Sequence, residues 1–332
     1  MKALLLEKPS PVENAPLKFC ETDAPLPGKN EIRLKVSSCG VCHTDLHIVE
    51  GEIIPPSYPV IPGHQIVGVI DEVGEGVKKF KKGERVGVGW LNRTCGKCEF
   101  CLKKLENLCE SAQFTGYHIN GGYGEYAVVH EDFAFSLPPE LDDAHAAPLL
   151  CAGIIGYRAF KMCGAKEGEN LGLFGFGASA HIVCQVAYKM GINAIVFTRS
   201  KKHRELALKL GARWAGSYDD RPPFTLDAGI IFAPAGEVVP FALNLLKPGG
   251  SIAINAIYMT ELPPMKYELI YRERKIMSIA NYTREDAKEF LEVAGKMGII
   301  TSVEQFHFQD ANRALQLLKE SKINGSAVLV WS

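Results

Sequence analysis

Apolar and polar residues alternate through Glu31-Ile32-Arg33-Leu34-Lys35-Val36. The same period of two returns in Val69-Ile70-Asp71-Glu72-Val73-Gly74 and in Glu84-Arg85-Val86-Gly87-Val88, with glycine turns between the runs. Successive side chains of a strand point to opposite faces, so this period marks half-buried antiparallel strands. A small, partly open β-barrel is implied, which Gly121 to Val129 rejoins as a further strand. Asp142 to Ala152 reads as a helix carrying Cys151, and Cys151 to Gly164 as a bridging helix. From Glu169 the pattern changes. Short apolar runs at Leu171 to Phe174, Ala194 to Phe197, Ala228 to Ala233 and Ser251 to Ala256 alternate with amphipathic helices, the signature of a parallel, doubly wound sheet. Lys247-Pro248-Gly249-Gly250 reads as a turn before the last of these. Thr283 is an N-cap for the helix that follows. The tail, Phe308 to Leu318 as a helix and Ser326 to Trp331 as a strand, is expected to return to the first domain. The fold class expected is α/β: a barrel domain over 1–152, a doubly wound domain over 153–282, and 283–332 returning to the barrel.

Length supports two domains, because 332 residues exceed the size at which one core keeps growing. A formal net charge of -1 offers no field for a polyanion, which argues against nucleic acid or an anionic membrane as partner. Apolar runs stay below the ~18 residues of a membrane span, and Met1 to Leu6 stops at Glu7, so a cytoplasmic location is the default expectation. Ten cysteines without a secretory signal read as metal ligands and buried thiols rather than disulfides.

Three segments carry chemistry. Between Cys39 and Gln65 the chain gathers a thiol (Cys42), three imidazoles (His43, His47 and His64), a hydroxyl (Thr44) and a carboxylate (Asp45). That collection suits zinc, which at a catalytic site takes three protein ligands and keeps a fourth position open. With Cys42 and His64 as two of them, a third must come from elsewhere in the chain, and Cys151 is the best candidate. Next, Cys95, Cys98, Cys101 and Cys109 fall within one short loop, where four thiolates can close a tetrahedral shell with no open position. The remaining cysteines, Cys20, Cys39, Cys163 and Cys184, are expected to be core thiols. Finally, Gly175-Phe176-Gly177-Ala178-Ser179-Ala180 sits between a strand and a helix. Gly175 and Gly177 let backbone approach a pyrophosphate, Ala178 opens the helix, and Ala180 is small enough for the helix to pack on the strand, so a dinucleotide site is expected.

Gly40-Val41-Cys42-His43-Thr44-Asp45-Leu46-His47, together with Gly63-His64, resembles the medium-chain zinc-dependent alcohol dehydrogenases, and the resemblance extends through the whole chain. It implies a GroES-like catalytic domain, a Rossmann domain and two zinc ions per chain. The zinc on Cys42, His64 and Cys151 would act as a Lewis acid that lowers the pKa of an alcohol, with hydride passing to or from a nicotinamide cofactor. Thr44 and His47 stand where the family releases the proton, Asp45 would orient a zinc ligand, and His43 and Arg284 would approach the cofactor pyrophosphate. The resemblance places Trp90 as an aromatic wall of the pocket, which leaves little room and points to small primary alcohols and their aldehydes, with benzyl-type substrates left open. It also implies a homodimer or homotetramer.

Two positions depart from the family pattern: Gln65 stands where a Glu usually follows the zinc histidine, and Ile155 where a Thr often faces the nicotinamide. Two alternatives stay open, a zinc-free quinone or enone reductase of the same superfamily and a zinc-stabilised, cofactor-binding sensor without turnover.

The choice of cofactor rests on Thr198-Arg199-Ser200-Lys201-Lys202-His203. NAD-selective sites place an acid about twenty residues past the glycine turn. Here that count reaches Thr198, which is neutral, and Arg199 beside it offers a fork of donors suited to phosphate. NADP is expected over NAD.

Overall fold

The computed structural model describes residues 1–331 of the chain. β1 (Lys2–Leu6) and β2 (Leu17–Glu21) pair antiparallel as a two-stranded ribbon. β3 (Glu31–Val41) runs well past the alternating stretch, and Ile32, Leu34 and Val36 are buried as the period of two requires. α1 (His43–Glu50) follows it directly. Then come β4 (Gln65–Val73), β5 (Arg85–Val88), β6 (Leu91–Arg93), α2 (Glu99–Leu102), β7 (Gln113–Phe114), β8 (Tyr126–His130) and β9 (Ala134–Ser136). The strand expected from Gly121 begins only at Tyr126. Before it, the amides of Gly121, Gly122 and Tyr123 bond to the carbonyls of Ile61, Gly63 and Pro62, which ties them to the loop carrying His64, while the Tyr123 carbonyl accepts the Leu4 amide of β1.

The single helix expected over Asp142 to Ala152 is also broken. α3 (Asp143–Ala146) gives way to a 3-10 turn over Ala147–Leu150, and Cys151 lies outside both at φ -132°, ψ -71°. Pro148 has no N–H for the carbonyl four residues back, so the α ladder stops there. Cys151 is therefore offered from an irregular turn rather than from a helix face.

The second unit opens with α4 (Ala152–Cys163) and alternates β10 (Asn170–Phe174), α5 (Ala178–Lys189), β11 (Asn193–Phe197), α6 (Lys201–Lys209), β12 (Trp214–Gly216), β13 (Leu226–Ile231), α7 (Val238–Leu245), β14 (Leu246–Ile254) and β15 (Lys275–Ser278). All six strands are parallel, in the order β12-β11-β10-β13-β14-β15. Strand order reverses between β10 and β13, the place where such sheets bind ligands at the carboxyl ends of their strands. Leu171, Leu173, Phe174, Val196 and Phe197 are fully buried, as strands covered on both faces demand. The Lys247–Gly250 turn proves to be an irregularity inside β14: its register with β13 shifts between Leu226 and Ala228.

The chain then returns to the first unit. Thr283 caps α8 (Arg284–Met297): its Oγ1 accepts the Asp286 amide at 3.1 Å while Asp286 Oδ2 accepts the Thr283 amide at 3.0 Å. β16 (Val303–His307), α9 (Ala311–Lys319) and β17 (Ser326–Val330) complete the chain. β17 lies antiparallel to β3, so the last strand closes a seven-stranded sheet ordered β16-β17-β3-β4-β5-β9, with β8 also on β3. One compact unit takes Met1–Cys151, Asn281–Gly295 and the residues from Thr301 onward, the other Ala152–Ala280 and Lys296–Ile300. Among the described residues no helix is long and apolar enough to cross a membrane.

Candidate active site

The N-terminus of α1 is built by a capping box in which cysteine and aspartate take the usual serine and glutamate places. Cys42 is the N-cap and its Sγ accepts the Thr44 amide at 3.3 Å, while Asp45 Oδ2 accepts the Cys42 amide at 3.0 Å. The other oxygen of Asp45 accepts from the Gly63 amide at 3.2 Å and pairs with His64 Nδ1 at 3.0 Å. Asp45 thus fixes two short segments against each other, one carrying Cys42 and the other His64. Gly63 is required between them: its φ is +95°, and a Cβ there would meet the buried ring of Tyr123 at 2.3 Å.

With Nδ1 engaged by Asp45, His64 turns Nε2 toward Cys42 Sγ, 3.4 Å away. Cys151 completes the group, with the three ligand atoms within 4.8 Å of one another. Zinc with sulfur and nitrogen ligands at ordinary bond lengths sets neighbouring donors about 3.5 to 3.8 Å apart, so the set fits the ion. His64 and Asp45 are fully buried, whereas Cys42 and Cys151 are only half-buried. Three protein ligands leave the fourth position of a tetrahedral zinc free for substrate or water, as a catalytic site needs.

The electrostatics ask for a cation. The Cys42 thiol is held well below its ordinary range, first by the Cys151 thiol and then by the His64 imidazole, while Cys151 rises in turn against Cys42. Burial works against a charge on His64, but Asp45 and Cys42 overcome it and bring the ring up to about 10. A divalent ion meets the same demand.

Cys95, Cys98, Cys101 and Cys109 also bring their sulfurs within 4.8 Å of one another. Cys95 lies 3.9 Å from Cys101 and 3.6 Å from Cys109, and the Cys98 amide donates to Cys95 Sγ at 3.3 Å. The backbone amides of Lys97 and Cys98 pull the Cys95 thiol down to about 6, so a thiolate is ready for a metal. Four sulfurs leave no ligand position for substrate.

In the second unit Gly175 has φ +94° and Gly177 is the N-cap of α5, with open space where its Cβ would stand. Ala178 begins that helix and Ala180 is fully buried. An open, Cβ-free rim above a helix N-terminus fits a pyrophosphate.

Residues 28–139 match the alcohol dehydrogenase GroES-like domain, and residues 180–296 match the zinc-binding dehydrogenase domain. A probable alcohol dehydrogenase of Mycobacterium tuberculosis is 43% identical over 99% of this chain and 97% of its own length. The chain belongs to the medium-chain zinc-dependent alcohol dehydrogenase family. Among solved structures, a cinnamyl alcohol dehydrogenase of Sorghum bicolor superposes with a TM-score of 0.91 at 30% identity, covering 99% of this chain and 97% of that one. The structure of CAD from Helicobacter pylori, complexed with NADP(H), gives 0.88 at 26% identity over 99% and 97%. Oxidoreductase chemistry on an alcohol or aldehyde, with zinc and a nicotinamide cofactor, comes with membership of this dehydrogenase family.

The remaining residues singled out from the sequence fall as follows in the dehydrogenase. Thr44 and His47 lie one turn apart on α1, and the His43 and His47 rings are 6.3 Å apart. Trp90 is 9% exposed, stacks on Phe114 at 5.1 Å and meets His64 edge-on at 4.9 Å, so it is barrel core and a wall beside the ligand triangle at once. Tyr117, 5.9 Å from Trp90, extends the aromatic wall and was not evident from spacing. Gln65 is buried and packs over Gly40, where a Cβ would meet its amide carbon at 2.9 Å. Cys39, Cys163 and Cys184 are buried, whereas Cys20 is only half-buried, because β2 belongs to a two-stranded ribbon and not to the core.

Arg284 is engaged within its own unit. Glu106, buried at 3% exposure, accepts both its backbone amide and its Nε at 3.0 Å, Asp132 lies 3.4 Å from Nη1, and the guanidinium stacks over Phe133. Thr198 is buried at the end of β11 and Arg199 is exposed beside it. Arg204, unremarked in the sequence, donates Nη1 to the carbonyls of Thr198 and Arg199 and so fixes that turn.

Proposed function

We propose that the protein interconverts small primary alcohols, benzyl-type alcohols included, and their aldehydes, in the cytoplasm, using NADP in preference to NAD, as a homodimer or homotetramer with two zinc ions per chain. The observation that carries the reading is the Cys42–His64–Cys151 triangle, a set of three ligands flanked by Trp90. Bound zinc supplies a Lewis acid at this triangle and bound nicotinamide a hydride acceptor or donor.

The chain's own groups do the rest. Asp45 holds His64 in the tautomer that presents Nε2 to the metal. The Thr44 hydroxyl stands first on the path by which the alcohol's proton leaves, and His47, one turn along α1, stands last. Trp90 and Phe114 close the pocket against bulky groups on the carbinol carbon. Gly175, Gly177 and the first amides of α5 receive the pyrophosphate.

NADP is favoured by charge. α6 begins with Lys201 and Lys202 and has no acid in its first turn, the opposite of what the helix dipole prefers. Arg199 adds a third cation at the same place. A 2′-phosphate would relieve that excess, and the residue at the end of β11, where an acid would hold a bare ribose, is the neutral Thr198.

The deciding experiment follows reduced-nicotinamide absorbance over a panel of alcohols from ethanol through benzyl alcohol to bulky secondary alcohols, with both cofactors. Turnover of primary alcohols with NADP is expected. Absence of alcohol-dependent turnover, or a clear preference for secondary alcohols, would overturn the reading.

A further inference from the structure

We propose that Asn255 is a cofactor-binding residue whose side-chain oxygen accepts the carboxamide N–H of the nicotinamide and so fixes how the ring lies over the parallel sheet. The inference rests on the reading that a nicotinamide dinucleotide occupies the carboxyl edge of that sheet. Asn255 is the first residue past β14, and its Oδ1 is buried with no hydrogen-bond donor among the described residues. A buried amide oxygen without a donor is costly, so its place in the fold asks for one from outside.

The strand sets the direction of the side chain. Ile252 and Ile254 belong to one buried cluster with Val238 and Val239 of α7, and Ala256 packs against it. Successive side chains alternate, so Ser251 and Asn255 face the opposite layer, where Ser251 Oγ donates to the Cys163 carbonyl at the end of α4. Toward the other end of α4, a Cβ on Gly156 would meet Val183 at 2.8 Å and Ser179 at 3.5 Å, both on the first half of α5. α4 therefore starts at the carboxyl edge of the sheet and runs down to Cys163. From Ser251 to Asn255 the strand rises about 13 Å, and from Cys163 back to Ile155 the helix covers about 12 Å, which sets Asn255 abreast of the first turn of α4 and at the same edge as the start of α5.

With the 2′-phosphate on the β11 side and the pyrophosphate at the start of α5, a dinucleotide laid across the switch point brings its other end over β13 and β14. β14 lies two strands, about 10 Å, beyond β10. The ribose next to the pyrophosphate takes up that gap, and the carboxamide of the ring is the donor that arrives. The backbone under the free oxygen is held from both sides: the Asn255 amide donates to the Ile231 carbonyl of β13 at 2.8 Å, and the Ile254 carbonyl accepts the Ile279 amide at 2.9 Å. A neutral amide oxygen matches the carboxamide N–H and places no charge beside a ring that is cationic when oxidised and neutral when reduced.

The test measures ligand affinity by fluorescence titration of the zinc-loaded protein, without alcohol, in the wild type, Asn255→Val and Asn255→Asp. Three ligands are compared, each with and without the 2′-phosphate: the nicotinamide dinucleotide, its 3-acetylpyridine analogue, in which a methyl replaces the amino group, and ADP-ribose, which lacks the ring. The wild type is expected to prefer the carboxamide to the acetyl form by roughly tenfold. Asn255→Val should lose most of that preference while binding ADP-ribose as before, and Asn255→Asp, which keeps an acceptor oxygen, should retain it. No preference in the wild type, an unchanged preference in Asn255→Val, or an equal loss for all three ligands would overturn the inference alone. If the wild type binds neither dinucleotide, the cofactor reading falls and takes this one with it.

Discussion

His64 is held at both ring nitrogens: Nδ1 faces Asp45 Oδ1 at 3.0 Å, and Nε2 is thereby aimed at the Cys42 sulfur. Asp45 does more than orient the ring, because it also accepts the amides of Cys42 and Gly63. Asp45→Asn keeps the size and one acceptor oxygen but removes the charge. It is expected to weaken zinc at this site by roughly 10- to 100-fold while the protein still folds. Competition with a chromogenic chelator measures the loss, and unchanged affinity would contradict the assignment.

The four-thiol lobe is expected to behave differently. Cys101→Ser should lower the metal content from two zinc ions per chain to one and lower the thermal midpoint, since a structural site contributes directly to folding. Residual activity at low temperature, per mole of remaining zinc, should stay within a few-fold of the wild type. Loss of the catalytic metal in this variant would count against independent roles.

Trp90 packs on Phe114 and also borders the ligand triangle, so shrinking it should act on specificity and stability together. Trp90→Ala is expected to raise kcat/KM for bulky secondary alcohols relative to ethanol and to destabilise the barrel by about 3 kcal/mol or more. A folded variant with the wild-type substrate ranking would remove Trp90 from the pocket.

Arg199 is exposed just past the end of β11, beside the neutral Thr198. Arg199→Ala should lower kcat/KM with NADP by about tenfold or more, the worth of a charge-assisted bond, and leave NAD almost untouched. Equal losses with both cofactors would place the side chain elsewhere.

His181 sits on α5 at 1% exposure, and burial pushes its pKa down to about 4, against its bond to the Gly177 carbonyl. The folded state resists a proton that the unfolded chain accepts near pH 6.5. Its contribution is therefore complete above that pH and is lost as pH falls toward 4, by about 3 kcal/mol. The difference in unfolding free energy between the wild type and His181→Asn should narrow by that amount between pH 7 and pH 4. A constant difference would mean that the ring is already charged in the fold.

The nucleotide-binding unit was legible because its central strands are uninterrupted apolar runs buried on both faces. β10 and β11 begin one residue before the runs at Leu171 and Ala194. β15 escaped notice because it is an edge strand, with Lys275 and Ser278 exposed. α1 was hidden for another reason: its capping residues are cysteine and aspartate, and its sequence reads as chemistry before it reads as a helix. The ligand triangle could be read from residue type, since few combinations other than zinc account for Cys42, His64 and Cys151. Its supports could not. Tyr117 beside Trp90, Glu106 under Arg284 and the Tyr282 hydroxyl against the Leu91 amide are partners that meet only after the chain has folded, without any periodic signal.

The two ligand sets tie the chain over very different lengths. Cys95 to Cys109 encloses 15 residues, whereas Cys42 to Cys151 encloses 110. A cross-link restrains the unfolded chain more as the enclosed loop grows, and this ratio corresponds to about 2 kcal/mol of additional loop entropy. The three-ligand zinc is thus also a long-range clasp, joining the first turn of α1 to the turn at Cys151. Stripping it should loosen most of the barrel, while stripping the four-thiol zinc frees a single lobe.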